Sequence, residues 1–147
     1  MKNFVKLVFL FSLLLVLVQS CTGSKEVLLN ETPEVSVVTP SWQEIVPGQE
    51  DGKRMMVVFL PVANELENYA VDSIYFKGYH QNLTYKSKSS SGAGYQAVIT
   101  LESDKEAIEP PYEILEDQAL VSYFDENKTR RYFKVSDIKQ AESIYMP

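Results

Sequence analysis

Short segments in which apolar and polar residues alternate recur along the chain and predict β-strands. Residues 95–103 read YQAVITLES, with tyrosine, alanine, isoleucine and leucine at every second position. This two-residue period is typical of a half-buried strand. Residues 54–61, RMMVVFLP, are apolar on both alternations and too short for a typical helix. They therefore predict a central strand that is covered on both faces.

Turn-forming residues separate the predicted strands at intervals of about ten residues. We read residues 71–79 as one strand, with Tyr75 and Tyr79 on the face opposite Ile74 and Phe76. The tail, residues 138–145, fits either a last strand or a short helix. The pattern predicts an antiparallel β-sandwich, most simply with immunoglobulin-like topology, and a small antiparallel β-barrel is the alternative. Other strands are predicted at 83–88, 119–124 and 131–135, the last two joined as a hairpin by DENKTR.

The first twenty residues have a different pattern, that of a secretion signal. Lys2 and Lys6 precede residues 7–18, in which Ser12 is the only polar residue. Twelve helical residues span only about 18 Å, whereas the hydrocarbon core of a bilayer measures about 30 Å. Residues 1–20 therefore predict a signal peptide rather than a membrane span. A retained short anchor helix or a buried core helix is the competing interpretation.

The signal ends on Val18-Gln19-Ser20-Cys21, which resembles a bacterial lipobox, although Gln19 departs from the usual small or aliphatic residue. The resemblance implies that Cys21 is acylated and becomes the new amino terminus. Cys21 is the only cysteine of the chain, so its acylation would leave no thiol for a disulfide. A lone structural or reactive cysteine is the alternative. Residues 21–40 predict a flexible tether, in which 35–38 could instead form an edge strand, and residues 41–147 predict the sandwich domain.

Charge narrows the range of partners. The whole chain carries a formal charge of −6; without residues 1–20, which hold two lysines and no acids, 12 basic residues face 20 acidic ones, a balance of −8. This charge argues against nucleic acid and against an anionic lipid surface as a partner. The plainer interpretation is that the negative charge keeps a secreted domain soluble.

No pattern in the sequence is typical of catalysis, of a metal site or of a cofactor. His80 is the only histidine and lies in a predicted turn, and no Cys/His cluster or nucleophile elbow occurs. Most paired acids also lie in predicted turns, where solvated carboxylates are expected. Asp72-Ser73-Ile74 resembles a short Bacteroidetes O-glycosylation motif, which would require Ser73 to face water. We predict that the protein is not an enzyme.

Aromatic residues supply the one candidate binding surface. Nine tyrosines and Trp42 occur in this short chain. Tyr75, Lys77 and Tyr79 would form an exposed strip if residues 71–79 were one strand, and such a strip could stack sugars or dock a partner. Cross-strand packing of the tyrosines is the plainer interpretation. A basic group at Lys128, Arg130, Arg131 and Lys134 could dock a partner or discourage edge-to-edge association.

Several blocks of the chain are similar to small Bacteroidetes lipoproteins with a tyrosine-rich β domain. These blocks are PGQEDGKRMMVVFLP, SIYFKGY and DQALVSYFDENKTRRYFKVSDI, and the similarity spans roughly residues 41–147. The resemblance implies a protein of the bacterial envelope, anchored to the outer membrane through lipid on Cys21, with no active site. We expect a binding or structural module whose partner is an envelope protein or a glycan, with a carbohydrate-binding accessory module as the alternative.

Overall fold

A computed structural model describes residues 28–29, 36–49, 52–63, 70–87, 92–102 and 106–147. The signal peptide, the lipobox and Cys21 lie outside these residues. Within the described ranges the chain forms strands, turns and loops, without any helix that could span a membrane.

Eleven strands build two sheets. Successive strands in the chain are β1 (Leu28–Leu29), β2 (Ser41–Val46), β3 (Met55–Pro61), β4 (Ala70–Phe76), β5 (Tyr79–Asn82), β6 (Thr84–Lys86), β7 (Gly94–Thr100), β8 (Ala119–Phe124), β9 (Arg130–Val135), β10 (Lys139–Gln140) and β11 (Ile144–Tyr145).

The strand order is that of an immunoglobulin-like sandwich. The first sheet has the order β1-β9-β8-β4-β5 and the second β10-β2-β3-β7-β6, with β11 also paired to β2. If the eight strands β2 to β9 are lettered A, B, C, C′, D, E, F and G, the sheets become GFCC′ and ABED, the arrangement of immunoglobulin domains. The predicted sandwich and its favoured topology are confirmed. The sheets remain two separate layers, so the barrel alternative is wrong for the described chain.

The core lies between the two layers and is apolar. Met56, Val58 and Leu60 of β3 face it, and Val57 is buried on the opposite side of the same strand. The predicted central strand is confirmed, because β3 is the middle strand of its sheet; its outer face is covered only in part, with Val57 buried and Met55 and Phe59 half-buried. From the other sheet, the core receives the alternate residues Ile74, Phe76, Val121 and Phe133. Burial of these side chains is the main source of stability for such a domain.

The strand predicted over residues 71–79 is wrong in its second half. β4 ends at Phe76, and Lys77 and Gly78 form a tight turn in which both residues have positive φ, 47° and 77°. Two residues with positive φ are the requirement of a type I′ hairpin turn, and glycine meets it without strain. The chain therefore reverses, and Tyr79 starts β5 directly opposite Phe76.

Both ends of the domain contain strands beyond the predicted ones. β2 was not predicted, and the tail adopts the strand alternative, because β10 and β11 pair in parallel with β2. Within the predicted tether, β1 pairs in parallel with β9, and Val37 forms an isolated bridge with Val62. These two places differ from a flexible tether, since each is held by backbone hydrogen bonds to the sandwich.

Candidate functional site

A polar network occupies the outer face of the first sheet, and the register of four strands builds it. Ser73 on β4 lies opposite Ser122 on β8, and Tyr75 lies opposite His80 on β5. The register of β4 shifts between Val71 and Ser73, as at a β-bulge. A bulge re-aims the side chains beside it, and here the carboxylate of Asp72 reaches the hydroxyl of Ser122 on the same face.

The network is continuous from the imidazole to the carboxylate. His80 Nε2 lies 2.8 Å from Ser73 Oγ, and Ser73 Oγ lies 2.7 Å from Ser122 Oγ. The hydroxyl of Ser122 donates to Asp72 Oδ2 at 3.1 Å, and a guanidinium N–H of Arg130 donates to the same oxygen at 3.1 Å. Both serines are almost fully buried, with exposed fractions of 2% and 1%. Their hydroxyls are therefore satisfied inside the protein, as buried polar groups must be.

The direction of the protons in this network argues against a nucleophilic serine. A carboxylate only accepts hydrogen bonds, so the single proton of Ser122 points to Asp72. Ser122 then accepts from Ser73, and Ser73 accepts in turn from His80, which we assign as the Nε2–H tautomer. A catalytic histidine would instead accept the serine proton and be oriented by the acid. Here Asp72 Oδ2 lies 3.1 Å from Ser122 Oγ and 3.4 Å from Ser73 Oγ, so the acid accepts from the serines rather than from the imidazole, unlike the acid of a catalytic triad.

His80 is also packed against an aromatic ring. The imidazole stacks on Tyr75 with ring centroids 4.2 Å apart and an interplanar angle of 17°. Burial lowers the pKa of His80 below its ordinary value, and the nearby Asp72 carboxylate opposes this shift. Burial likewise raises the pKa of Tyr75. The neutral imidazole is therefore the form that the folded protein prefers.

We expect the folded protein to lose stability as the pH falls through the range in which a free histidine titrates. The unfolded chain takes up a proton on His80 near pH 6.5, whereas the folded chain binds it only at lower pH because its pKa is lowered. This contribution to stability is fully present above about pH 6.5 and is lost once the pH falls below the folded pKa. Urea unfolding midpoints between about pH 8 and about pH 5 measure it.

His80→Gln is the matched control, because an amide N–H can still donate to Ser73 but does not titrate. Since His80 is the only histidine of the chain, the variant should show no loss of stability between about pH 8 and about pH 5. Hydrogen bonds from Arg131 and from the backbone of Thr129 lower the pKa of Asp125 below its ordinary value. An unchanged pH dependence in the variant would contradict the role given to His80.

The three residues predicted as a binding strip do not share a face. Tyr75 stacks on His80 on the outer face, whereas Tyr79 lies on the inner face and packs against the core beside Phe76. Lys77 stands in the turn between them, with its Nζ 5.1 Å from the ring centroid of Trp42. The predicted common face is wrong, because the chain reverses at Lys77. Lys77 lines a cavity.

That cavity is an open groove of about 770 Å³ between the β4–β5 turn and residues 106–118. Lys77 and Gly78 line it on one side, and apolar and acidic side chains of residues 107–116 line the other. Tyr112 of this segment lies edge-on to Tyr132 of β9, with centroids 5.9 Å apart. The segment therefore runs over the outer face of the first sheet.

The remaining candidate residues have structural partners. Arg130 binds Asp72, and Arg131 binds Asp125, so two members of the predicted basic group neutralise carboxylates rather than form a free patch. Ser73 is buried in the network and does not face water, so the predicted O-glycosylation motif lacks an exposed acceptor in the folded protein. Among the described residues, no cluster of three His, Cys, Asp or Glu side chains could hold a metal ion.

The network was not predictable from the sequence because its members come from four strands. Ser73 and Ser122 are 49 positions apart. One signal was available: Ser122 stands between Val121 and Tyr123 in a strand-like segment, and such a serine often needs a buried partner. The acidic segment 106–118 offered a second signal, an unusually acidic loop interrupted by apolar residues. Comparisons of the chain with protein-family models, with curated proteins and with solved structures find no match.

Proposed function

We propose that this protein is a lipid-anchored component of the bacterial envelope, held in the outer membrane by acyl chains on Cys21. Its immunoglobulin-like sandwich serves as a binding module without catalytic activity. The observation that carries the proposal is the lipobox-like Val18-Gln19-Ser20-Cys21 at the end of an apolar leader.

The short distance along the chain between Cys21 and β1 supports a domain held close to the bilayer. Seven residue steps separate Cys21 from Leu28, and an extended chain spans at most about 3.6 Å per residue, so the reach is about 25 Å. Because β1 pairs with β9, the segment that starts at Cys21 joins the sandwich beside β9. Anchoring would therefore set the orientation of the domain as well as its location.

The direction of the strands gives this orientation. β1 and β4 both run in the direction of β9, because β1 pairs with β9 in parallel and β8 is antiparallel to both β9 and β4. The chain from Cys21 thus reaches the end of the sheet where β4 and β9 begin. The β4–β5 turn with Lys77, one wall of the groove, lies at the opposite end. In an anchored molecule this end would face away from the membrane.

The hydrogen-bond directions in the polar network support a non-enzymatic role. With His80 assigned as the Nε2–H tautomer, Ser73 accepts from it and directs its own proton to Ser122 or Asp72, so no general base activates Ser73. The carbohydrate-binding alternative depended on a common face for Tyr75 and Tyr79, which the hairpin register does not provide. A binding module that uses another surface is the function that the geometry supports best.

Replacing Cys21 with serine should abolish lipid attachment completely, because the thioether needs the sulfur atom. The full chain is expressed in a bacterium grown with labelled palmitate, and the label and intact mass of the product are measured. The unaltered chain should be labelled, membrane-bound and cleaved before Cys21, whereas Cys21→Ser carries no label. Several acyl chains hold a protein firmly, whereas one holds it only marginally.

Ser24→Ala, three residues further along, is the matched control and should retain the label. An unaltered product that still carries Met1, lacks the label and stays in the soluble fraction would overturn the proposed anchor.

A further inference from the structure

The groove at the Lys77 end of the sandwich has defined walls. A backbone hydrogen bond of 2.8 Å from the amide of Ile108 to the carbonyl of Gly78 joins segment 106–118 to the β4–β5 turn. The two walls are in close contact there, since a β-carbon at Gly78 would lie only 3.0 Å from that of Ala107. At the other end of segment 106–118, the backbone amide of Ile138 donates to the carbonyl of Asp117, and the side-chain amide of Gln118 donates to the hydroxyl of Ser136.

Large apolar side chains are exposed along this groove. Leu115 is 64% exposed and Ile108 is 37% exposed, and both line it together with Ile114 and Pro110. Single exposed apolar residues are common, but several around one concave surface are typical of an interaction site. The volume of about 770 Å³ also lies in the range of binding pockets.

The rim of the groove is acidic. Glu109, Glu113 and Glu116 line it and are exposed, and Lys77 is its one basic lining residue. Residues 106–118 contain five acids and no base. No ion pair joins the three glutamates to any basic side chain within the described chain. Their negative charge is therefore available to a partner.

We propose that this groove binds a basic, apolar polypeptide segment of another envelope protein. Leucine or isoleucine side chains of the partner would cover Ile108 and Leu115, and its lysines or arginines would pair with Glu109, Glu113 and Glu116. Charge complementarity favours this occupant over an acidic chain or an anionic lipid headgroup, which the carboxylates would repel. The inference rests on the proposed binding-module role and names its surface and partner class.

The position of the groove suits such a partner. β4 runs from the anchored end of the sheet toward Lys77, so the Lys77 wall of the groove lies about six strand residues, or roughly 20 Å, from the start of β4. The groove extends from there to Tyr112, which packs on Tyr132 beside β1. Its Lys77 end would stay open to a soluble or neighbouring polypeptide when Cys21 is held in the bilayer.

The test uses the mature acylated chain in nanodiscs of zwitterionic phosphatidylcholine, with empty nanodiscs as the blank. The probe is a fluorescent short peptide of alternating lysine and leucine, and anisotropy reports its binding. Peptides of lysine with serine and of glutamate with leucine are the matched controls. We expect each control to bind at least about tenfold more weakly, because it lacks either the apolar or the charge contribution. Added salt should weaken binding, since it screens exposed charges.

Two variants connect the binding to the groove. Leu115→Ser and the double variant Glu113→Gln/Glu116→Gln should each weaken lysine–leucine binding about tenfold. Val98→Ser, a 48% exposed residue on β7, and Glu142→Gln at an exposed position are the controls and should bind as the unaltered chain does. All four change exposed side chains, so each variant should unfold at nearly the same urea concentration as the unaltered chain.

Equal binding of the lysine–serine peptide would overturn the proposal, because it would show general charge attraction without a groove. Full affinity in Leu115→Ser would overturn it as well. Self-association that Leu115→Ser abolishes would assign the groove to a second copy of this chain instead. Each of these outcomes leaves the labelling of Cys21 unaffected, so failure of the groove is distinguishable from failure of the anchor.

Discussion

Replacing Phe76 with alanine should lower the free energy of unfolding by about 3–5 kcal/mol. Phe76 is fully buried at the end of β4, where it joins the apolar core and lies edge-on to Trp42 of the other sheet, with centroids 6.2 Å apart. Its loss removes apolar contact between the two layers and leaves a cavity that the β4–β5 turn cannot fill without moving. Since small domains have about 5–15 kcal/mol of stability in total, the expected effect is a large fraction of the whole.

Urea unfolding measures the change, and Phe59→Ala is the matched control. Phe59 lies on the outward alternation of β3 and is only half-buried, so its removal should cost clearly less. Phe76→Leu keeps much of the apolar volume and should fall between the unaltered chain and Phe76→Ala; it covers the case in which the alanine variant does not fold. Equal losses for Phe59→Ala and Phe76→Ala would contradict the position of the core.

The strands that could be predicted are those in which the order of apolar and polar residues already shows which positions are buried. β3 is the middle strand of its sheet, and its apolar residues include Met56, Val58 and Leu60, which face the core, and Val57, which is buried on the outer side. β7 alternates because one face meets the core, where Ala97 and Ile99 are buried, and the other leaves Val98 exposed. In such strands the local pattern already contains the tertiary environment, so sequence and structure agree.

The strands that were missed depend on partners distant in the chain. β2 reads SWQEIV, is half-buried at every position and has no clear alternation. Its strand conformation follows from its ladders to β3 on one side and to β10 and β11 on the other. The β4–β5 turn was missed because type I′ turns usually carry asparagine or aspartate before glycine, whereas here Lys77 takes the positive φ.

The candidate site could not be predicted because it combines residues from separate strands. Two consecutive residues of β4, Asp72 and Ser73, reach the same network where the register of the strand shifts, whereas strict alternation would have placed them on opposite faces. The groove needed the docking of segment 106–118 on Gly78, a contact between residues 30 positions apart. The acidic character of that segment was visible in the sequence, but the surface that it forms was not.

A double-mutant cycle should show that Ser73 and Ser122 act as a pair. Ser73→Ala leaves the hydroxyl of Ser122 without its donor and His80 without its acceptor, and Ser122→Ala leaves Asp72 and Ser73 each short of one hydrogen bond. Each single change should cost about 1–3 kcal/mol, the range for a buried polar group that loses its partner. The double variant removes both members of the 2.7 Å contact, so its cost should be smaller than the two single costs together.

Urea unfolding is measured for the unaltered chain, the two single variants and the double variant. The coupling energy between the two serines should be about 0.5–3 kcal/mol. Ser136→Ala provides the comparison, because Ser136 is exposed, accepts from Gln118 and shares no partner with Ser73. Combined with Ser73→Ala, it should be additive within about 0.5 kcal/mol. Additivity of Ser73→Ala with Ser122→Ala would refute a closed network. Ser73 would then be free to give its proton to His80, and the argument against a nucleophilic serine would fail with it.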